Sequence, residues 1–233
     1  AAARNTDAID AWAKEARLGD KVRAVRLDLA DADAVSAFAG KMSAEGIDIV
    51  VNNCGGPAAG PAKGQSRAAW LAAFEAMALP IMQITDALLQ GMTERGFGRV
   101  ITIGSSGVLS PIPNLALSNG VRGALAGWSK TLAGEVAASG ITVNMALPGR
   151  IATDRVASLD AIKAEKDGVS VEAVAKSSKA AIPAGRYGDS SEFAAVVAFL
   201  ASTRASFVNG SMIRVDGGML KHYFHYSNAL FHI

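Results

Sequence analysis

Two hydrophobic rhythms alternate along this chain. Residues 6–17, TDAIDAWAKEAR, set Ile9, Trp12 and Ala16 on one face at helical spacing, with Thr6 placed to cap. Gly19-Asp20 turn the chain into KVRAVRLDL, a short strand, and DADAVSAFAGKMSAEG returns to helical spacing, opened by Asp31 or Asp33 and closed by Gly46. IDIVVNN is a continuous β-branched run, the pattern of a parallel strand covered on both faces. A loop, GGPAAGPAKG, leads into a long helical region from Ser66 to Arg95. The second half repeats the rhythm: GRVITIGS as strand, 118–139 as a helix rich in Ala and Leu, and GITVNMALPG as strand. Residues 154–180 are polar and weakly periodic, which predicts a mobile helical flap. SSEFAAVVAFLASTRA predicts a helix capped by Ser190 or Ser191, and SMIRVDGG a final strand. Strand–helix alternation of this kind implies right-handed crossovers and an α/β fold with a doubly wound parallel sheet. No repeat or linker interrupts it, so a single domain over 1–219 is expected, followed by a tail at 220–233.

Composition narrows the partners. With 233 residues and 50% hydrophobic content, the chain can bury a full core without disulfide staples. Its 23 Lys and Arg against 21 Asp and Glu leave no field that would gather nucleic acid. The single cysteine, Cys54, forbids an internal disulfide and suits the reducing cytoplasm. No unbroken run of apolar residues reaches membrane-spanning length, and AAARNTDAID is not a signal peptide. The histidines, His222, His225 and His232, all fall in the tail KHYFHYSNALFHI, where no cysteine or carboxylate joins them, so no metal site is expected. That tail is unusually aromatic and reads as an extension packing on a partner subunit, or as non-native read-through.

Several ordered signals carry a likeness: LDLAD (27–31), VVNNCGG (50–56), GRVITIGS (98–105), GITVNMALPGRIAT (140–153), AIPAGRYGDSSEFAAVVAFLAS (181–202) and NGSMIRVDGG (209–218). In this order and spacing they resemble the short-chain dehydrogenase/reductase family, over residues 4–219, and especially its 3-oxoacyl-[acyl-carrier-protein] reductase branch. The resemblance implies a Rossmann-like domain that binds a nicotinamide dinucleotide at the carboxyl edge of its sheet. Asp28, ending a strand, can accept a hydrogen bond from an adenine amino group, and reads equally as a helix N-cap. Asn53, Cys54 and Gly55 follow the next strand, where small residues let backbone approach a nucleotide. Cys54 stands where the family usually has alanine and reads as a small buried substitute. Pro148 and Gly149 break a strand, and Ile151 and Thr153 match positions that bracket the nicotinamide carboxamide; Thr153 also suits a helix N-cap.

The family's opening strand, glycine-rich turn and helix, which hold the pyrophosphate, have no counterpart before or after Ala1. Were Ala1 the true start, the strand at 21–28 would lack its normal neighbour, so a piece of a longer product is the economical expectation. Arg4 would then stand just past the second strand, where an arginine commonly meets a 2′-phosphate. NADP(H) is accordingly favoured over NAD(H), with a plain surface arginine the competing reading.

The catalytic positions depart from the family. Ser105 matches the serine that polarises the substrate oxygen. The usual spacing then leads to Ser118 where a tyrosine should stand, and one helical turn on to Arg122 where a lysine should stand. The asparagine position falls near Met77, and the first tyrosine of the chain is Tyr187. An aliphatic hydroxyl is a far poorer acid than a phenol, and a guanidinium cannot act as a base. Ser118, Asn119 and Arg122 form a polar cluster in an otherwise apolar helix, a hint of ligand contact that competes with helix capping by Ser118. Two functions follow: an NADP(H)-dependent reductase of small 3-oxoacyl-thioester-like carbonyls using Ser105, Ser118 and Arg122, or a catalytically degenerate relative that binds a nucleotide or another subunit. By family likeness the assembly is a homo-oligomer, a dimer or tetramer.

Overall fold

The structure, a computed structural model, describes residues 1–220. Its strands are β1 (Ala2–Ala3), β2 (Val25–Arg26), β3 (Ile49–Asn52), β4 (Gly98–Ile103), β5 (Ile141–Pro148) and β6 (Met212–Val215). Every pairing among them is parallel, β1 beside β2, and β3-β4-β5-β6 in that order. Helices α1 (Asp7–Glu15), α2 (Ala32–Ala44), α3 (Arg67–Met77), α4 (Leu79–Glu94), α5 (Ala116–Val136), α6 (Asp154–Asp167), α7 (Val171–Ala180) and α8 (Ser190–Ala201) connect them.

The continuous apolar runs become β4 and β5 because both faces are covered. Val100 and Val143 pack with α2, α4 and α5 through Val35, Leu88 and Leu132. Ile101 and Ala146, one residue out of phase, pack against Leu200 of α8 on the other side. Period-two alternation thus feeds two helical layers from one strand.

The polar flap is helical, as expected, and consists of two separately capped helices. Gly168, at φ 64°, closes α6, and Ser170 accepts from the Ala173 N–H to open α7. Asp31, not Asp33, opens α2 by accepting from the Ala34 N–H at 3.0 Å. At α8 the cap is Asp189, not Ser190 or Ser191: a carboxylate one residue earlier accepts from the Ser191 N–H while Glu192 returns to the Asp189 N–H. Thr6 holds the N-cap position of α1 without a side-chain bond; the Asp7 N–H goes to Asn5 instead. The apolar face expected for α1 is not core either, since Trp12 is 54% exposed and Ala13 is the buried residue.

The long helix expected over 66–95 is broken at Ala78. Pro80 has no N–H to continue the ladder and its ring crowds the turn before it. By length and composition the stretch Arg67–Glu94 is apolar enough to cross a membrane, although its apolar residues are interspersed with polar ones. Here Met77, Ile81, Ile84, Leu88 and Met92 are spent on the core against the sheet, α2 and α5.

One gap divides the architecture. The strand at 21–29 shrinks to Val25–Arg26, and its neighbour is β1, too short to leave a periodic signature. The expectation that a chain starting at Ala1 leaves this strand without a neighbour is therefore corrected. Between the β1-β2 pair and β3 lies an open crevice of about 1120 Å³, walled by Ala3, Leu27, Leu29, Phe38, Val50 and Met77 among others. On the outer strand β3, Ile49 and Val51 are 42% and 46% exposed.

Candidate active site

The carboxyl ends of β2, β3, β4 and β5 deliver, in turn, Asp28, Asn53-Cys54-Gly55, Gly104-Ser105 and Pro148-Gly149. In-register parallel pairing brings successive strand ends to one rim, which is why residues far apart in sequence can meet there. Arg4, Asp28, Asn53, Cys54 and Gly55 all line the single crevice beside β3. Asp28 is not the helix cap: its carboxylate accepts from the Ala30 N–H at 3.0 Å, and Asp31 caps α2. A Cβ at Gly55 would meet nothing within 4 Å, so this turn is open to a ligand. Asn52, by contrast, is buried and donates to the Thr85 hydroxyl at 3.0 Å, locking the end of β3 onto α4.

Arg122 joins the strand ends. Its Nη1 donates to the carbonyls of Ile103 at 2.8 Å and Gly104 at 3.2 Å, and its Nη2 to the carbonyl of Cys54 at 3.4 Å. The guanidinium is buried, 9% exposed, and its hydrogen bonds run to backbone carbonyls without a carboxylate among them. It therefore sets a positive charge against the end of β4, at the residue before Ser105, where among the described residues its bonded partners are peptide carbonyls. Ser105 accepts from the Gly107 N–H at 3.1 Å, which fixes its Oγ at the head of a short 3-10 turn.

Ser118 is the third residue of α5, past the cap position, which Leu115 occupies without a side-chain bond. The capping reading of Ser118 is thus set aside, and its half-buried hydroxyl makes no hydrogen bond within the described residues. Asn119 is used by the fold: its carboxamide donates to the Ile112 carbonyl at 2.9 Å and accepts from that residue's N–H. Met77 is 3% exposed and packs in the core at the α3–α4 break.

Beyond β5, a Cβ on Gly149 would lie 2.6 Å from the Cα of Asp216, so only glycine lets the chain pass. Thr153 caps α6, accepting from the Val156 N–H at 3.5 Å and donating to the Ile151 carbonyl at 3.3 Å. It does not line the crevice with Asp28 and Cys54, but the same helix start sends Arg155 to the Gly56 turn, 3.6 Å from where a Cβ would stand. Sequence reasoning missed Arg155; its place at the second position of a helix gives no sign that it reaches past β4 to the turn after β3.

Burial pushes the Cys54 thiol above its ordinary range, against a smaller opposing pull from Arg122 and a backbone hydrogen bond. The thiol stays neutral near pH 7. Iodoacetamide is therefore expected to alkylate Cys54 at least about tenfold more slowly than free cysteine at pH 8. Labelling at the free-thiol rate, followed by intact mass, would reverse the reading of Cys54 as an inert small residue. Among the described residues, no group of three or more His, Cys, Asp or Glu side chains could hold a metal, and the tail histidines lie outside them.

A family model described as enoyl-(acyl carrier protein) reductase matches residues 1–220. The chain belongs to the short-chain dehydrogenase/reductase family. It is 32% identical over 206 residues to 3-oxoacyl-[acyl-carrier-protein] reductase FabG of Vibrio cholerae, covering 87% of this chain and 79% of that protein. Among solved structures, YwfH, an NADPH-dependent reductase involved in bacilysin biosynthesis, superposes with a TM-score of 0.88 at 26% identity, covering 95% and 88% of the two chains. L-sorbose reductase of Gluconobacter frateurii, complexed with NADPH and L-sorbose, gives 0.85 at 29% identity and 95% and 86% coverage. As a short-chain dehydrogenase/reductase, the chain is an oxidoreductase similar to FabG, with its strand-end rim in the family's place for a dinucleotide.

Proposed function

We propose that this protein is an NADP(H)-dependent reductase of small carbonyl compounds, 3-oxoacyl thioesters foremost, acting as a homodimer or homotetramer in the cytoplasm. The observation that carries the reading is the convergence of Arg4, Asp28, Asn53, Cys54 and Gly55 on one crevice, with Ser105 at the adjoining strand end. Asp28 would hold the adenine, Arg4 the 2′-phosphate, and Pro148, Gly149, Ile151 and Thr153 the nicotinamide side. The open turn at Gly55 fits such a group, since nothing crowds it. When bound, the cofactor supplies the hydride. The chain's own part is to polarise the carbonyl oxygen: Ser105 is a hydroxyl donor, and Arg122 adds a fixed positive charge where an oxyanion develops.

At about 1120 Å³ the crevice exceeds the roughly 300–1,000 Å³ of an ordinary ligand pocket, and strand edges wall it. A strand, glycine-rich turn and helix ahead of Ala1 would share this space with the dinucleotide, making 1–219 the greater part of one domain. The aromatic tail is proposed as a partner-subunit contact and lies outside the described residues.

A second reading has its own support. The hydrogen bonds of Asn119 and Arg122 go to backbone groups, as in a scaffold that has turned polar side chains to structural use. Mixing the protein with NADPH and a panel of 3-oxoacyl thioesters separates the two. NADPH oxidation that falls about 10²-fold in Arg122→Met and is unchanged in Ser118→Ala supports the reductase; cofactor binding without oxidation supports the degenerate binder.

A further inference from the structure

Among the described residues Asp160 is the only buried carboxylate, 3% exposed, and the chemistry above does not use it. It belongs to α6, the first flap helix. One oxygen accepts from Arg150 Nη1 at 2.6 Å and the other from the Tyr187 hydroxyl at 2.5 Å. Arg150 directly follows the Pro148-Gly149 break, and Tyr187 directly precedes Gly188. Gly188 is stitched to the same segment, donating to the Arg150 carbonyl at 2.9 Å and accepting from the Ala152 N–H at 2.8 Å. The second flap helix joins through Lys179, whose ammonium sits 5.3 Å from the Tyr187 ring centre; the Arg150 guanidinium stands 6.0 Å from it.

A buried ion pair is seldom the most stabilising solution, because desolvation offsets most of the attraction and a well-packed apolar core does as well. What it supplies is directional fixation, since each oxygen of Asp160 holds a different segment at one geometry. Burial, and next the hydrogen bond to Asp160, push the Tyr187 phenol above its ordinary range, so it remains a donor through neutral pH.

We infer that Asp160 is a positioning residue that fastens the α6–α7 flap to segment 149–153, so that the flap, which would then border the substrate, and the segment proposed to flank the nicotinamide are held as one unit. The inference rests on the reductase reading for its kinetic consequence and on geometry alone for the fastening. The gentlest test is Tyr187→Phe, which keeps the ring and its cations and removes only the hydroxyl that donates to Asp160 and that Ser178 of α7 also meets. The hydrogen bond lost has a charged acceptor, so trypsin is expected to cut the folded variant at Lys163, Lys166 and Lys176 about tenfold faster. The KM for the thioester rises by a similar factor of about ten while kcat stays within about twofold, the signature of lost positioning. Asp160→Asn should act in the same direction and more strongly. An unchanged cleavage rate in a fully folded Tyr187→Phe protein overturns the fastening, and so does a fall in kcat at constant KM. If the parent protein oxidises no NADPH, the reductase reading fails by itself and the cleavage rate alone decides the fastening. Should Asp160→Asn not fold, Tyr187→Phe carries the decision.

Discussion

Carrying Ser118→Tyr and Arg122→Lys together, the protein is expected to reduce a 3-oxoacyl thioester with NADPH about 10²–10⁴-fold faster than the parent, the usual worth of a positioned acid. Ser118 lies on the first turn of α5 with its hydroxyl unengaged, and Arg122 lies one turn further along the same helix. A phenol at 118 is longer than serine by a ring and would restore the acid that the family places at this position. An ammonium at 122 lowers the phenol's pKa by its charge and keeps three donors for the Ile103 and Gly104 carbonyls that Arg122 now satisfies. The single variants separate the parts. Ser118→Tyr retains a cation one turn away in Arg122 and should recover some of the gain; Arg122→Lys alone adds no acid and should recover none. Initial rates of absorbance loss at the nicotinamide band decide it. A double variant no faster than the parent, yet folded and able to bind NADPH, would mean that the rim is not arranged around Ser105 as proposed.

What the sequence disclosed, and what it hid, follow from the range of the forces involved. Strands β4 and β5 were legible because burial on both faces demands unbroken apolar runs. Strands β3 and β6 were legible because they too are rich in β-branched and apolar residues, although one face of each is open. The residues just past them were legible because a strand end is a local event. β1 was not, since two alanines carry no period. The α8 cap was misplaced by one residue because Asp189, Ser190 and Ser191 are all good acceptors; only the reach of Glu192 back to the Asp189 N–H decides among them. At the site, the positions of Ser105, Ser118 and Arg122 were readable, but not the three carbonyls that hold Arg122. Those belong to residues 18 to 68 positions away, and backbone carbonyls leave no trace in a side-chain pattern. The knot at Asp160 was hidden for a related reason: its partners lie 10 and 27 positions away, on either side of the stretch of weak hydrophobic period that holds Asp160 itself.

The second large effect concerns the crevice. Joining about thirty residues that form a strand, glycine-rich turn and helix ahead of Ala1 is expected to tighten NADPH binding about 10²-fold, through pyrophosphate contacts at a helix N-terminus. The melting temperature should rise by about 10 °C or more, a chain of this size gaining roughly 2–4 °C per kcal/mol. Ala1 already lines the crevice, and its amino nitrogen donates to the Arg23 carbonyl at 2.7 Å, a bond that a peptide N–H can keep. An entering strand would find on one side the short β1-β2 pair and on the other the free edge of β3. It would cover Ile49 and Val51, whose side chains now stand nearly half in solvent. Each backbone group it pairs removes a cost of about 1–3 kcal/mol for any that would otherwise be buried unsatisfied, and each apolar contact adds about 25 cal/mol per Å² covered. The segment from a FabG relative serves as the donor, and the same segment with charged residues in its strand serves as the control. Equal melting temperatures and NADPH affinities for the extended and parent chains would show that the crevice is not a strand seat. A rise in stability without tighter binding would instead keep the strand and discard the pyrophosphate role of the turn, because edge pairing and apolar cover act on folding alone while the turn acts only on the ligand.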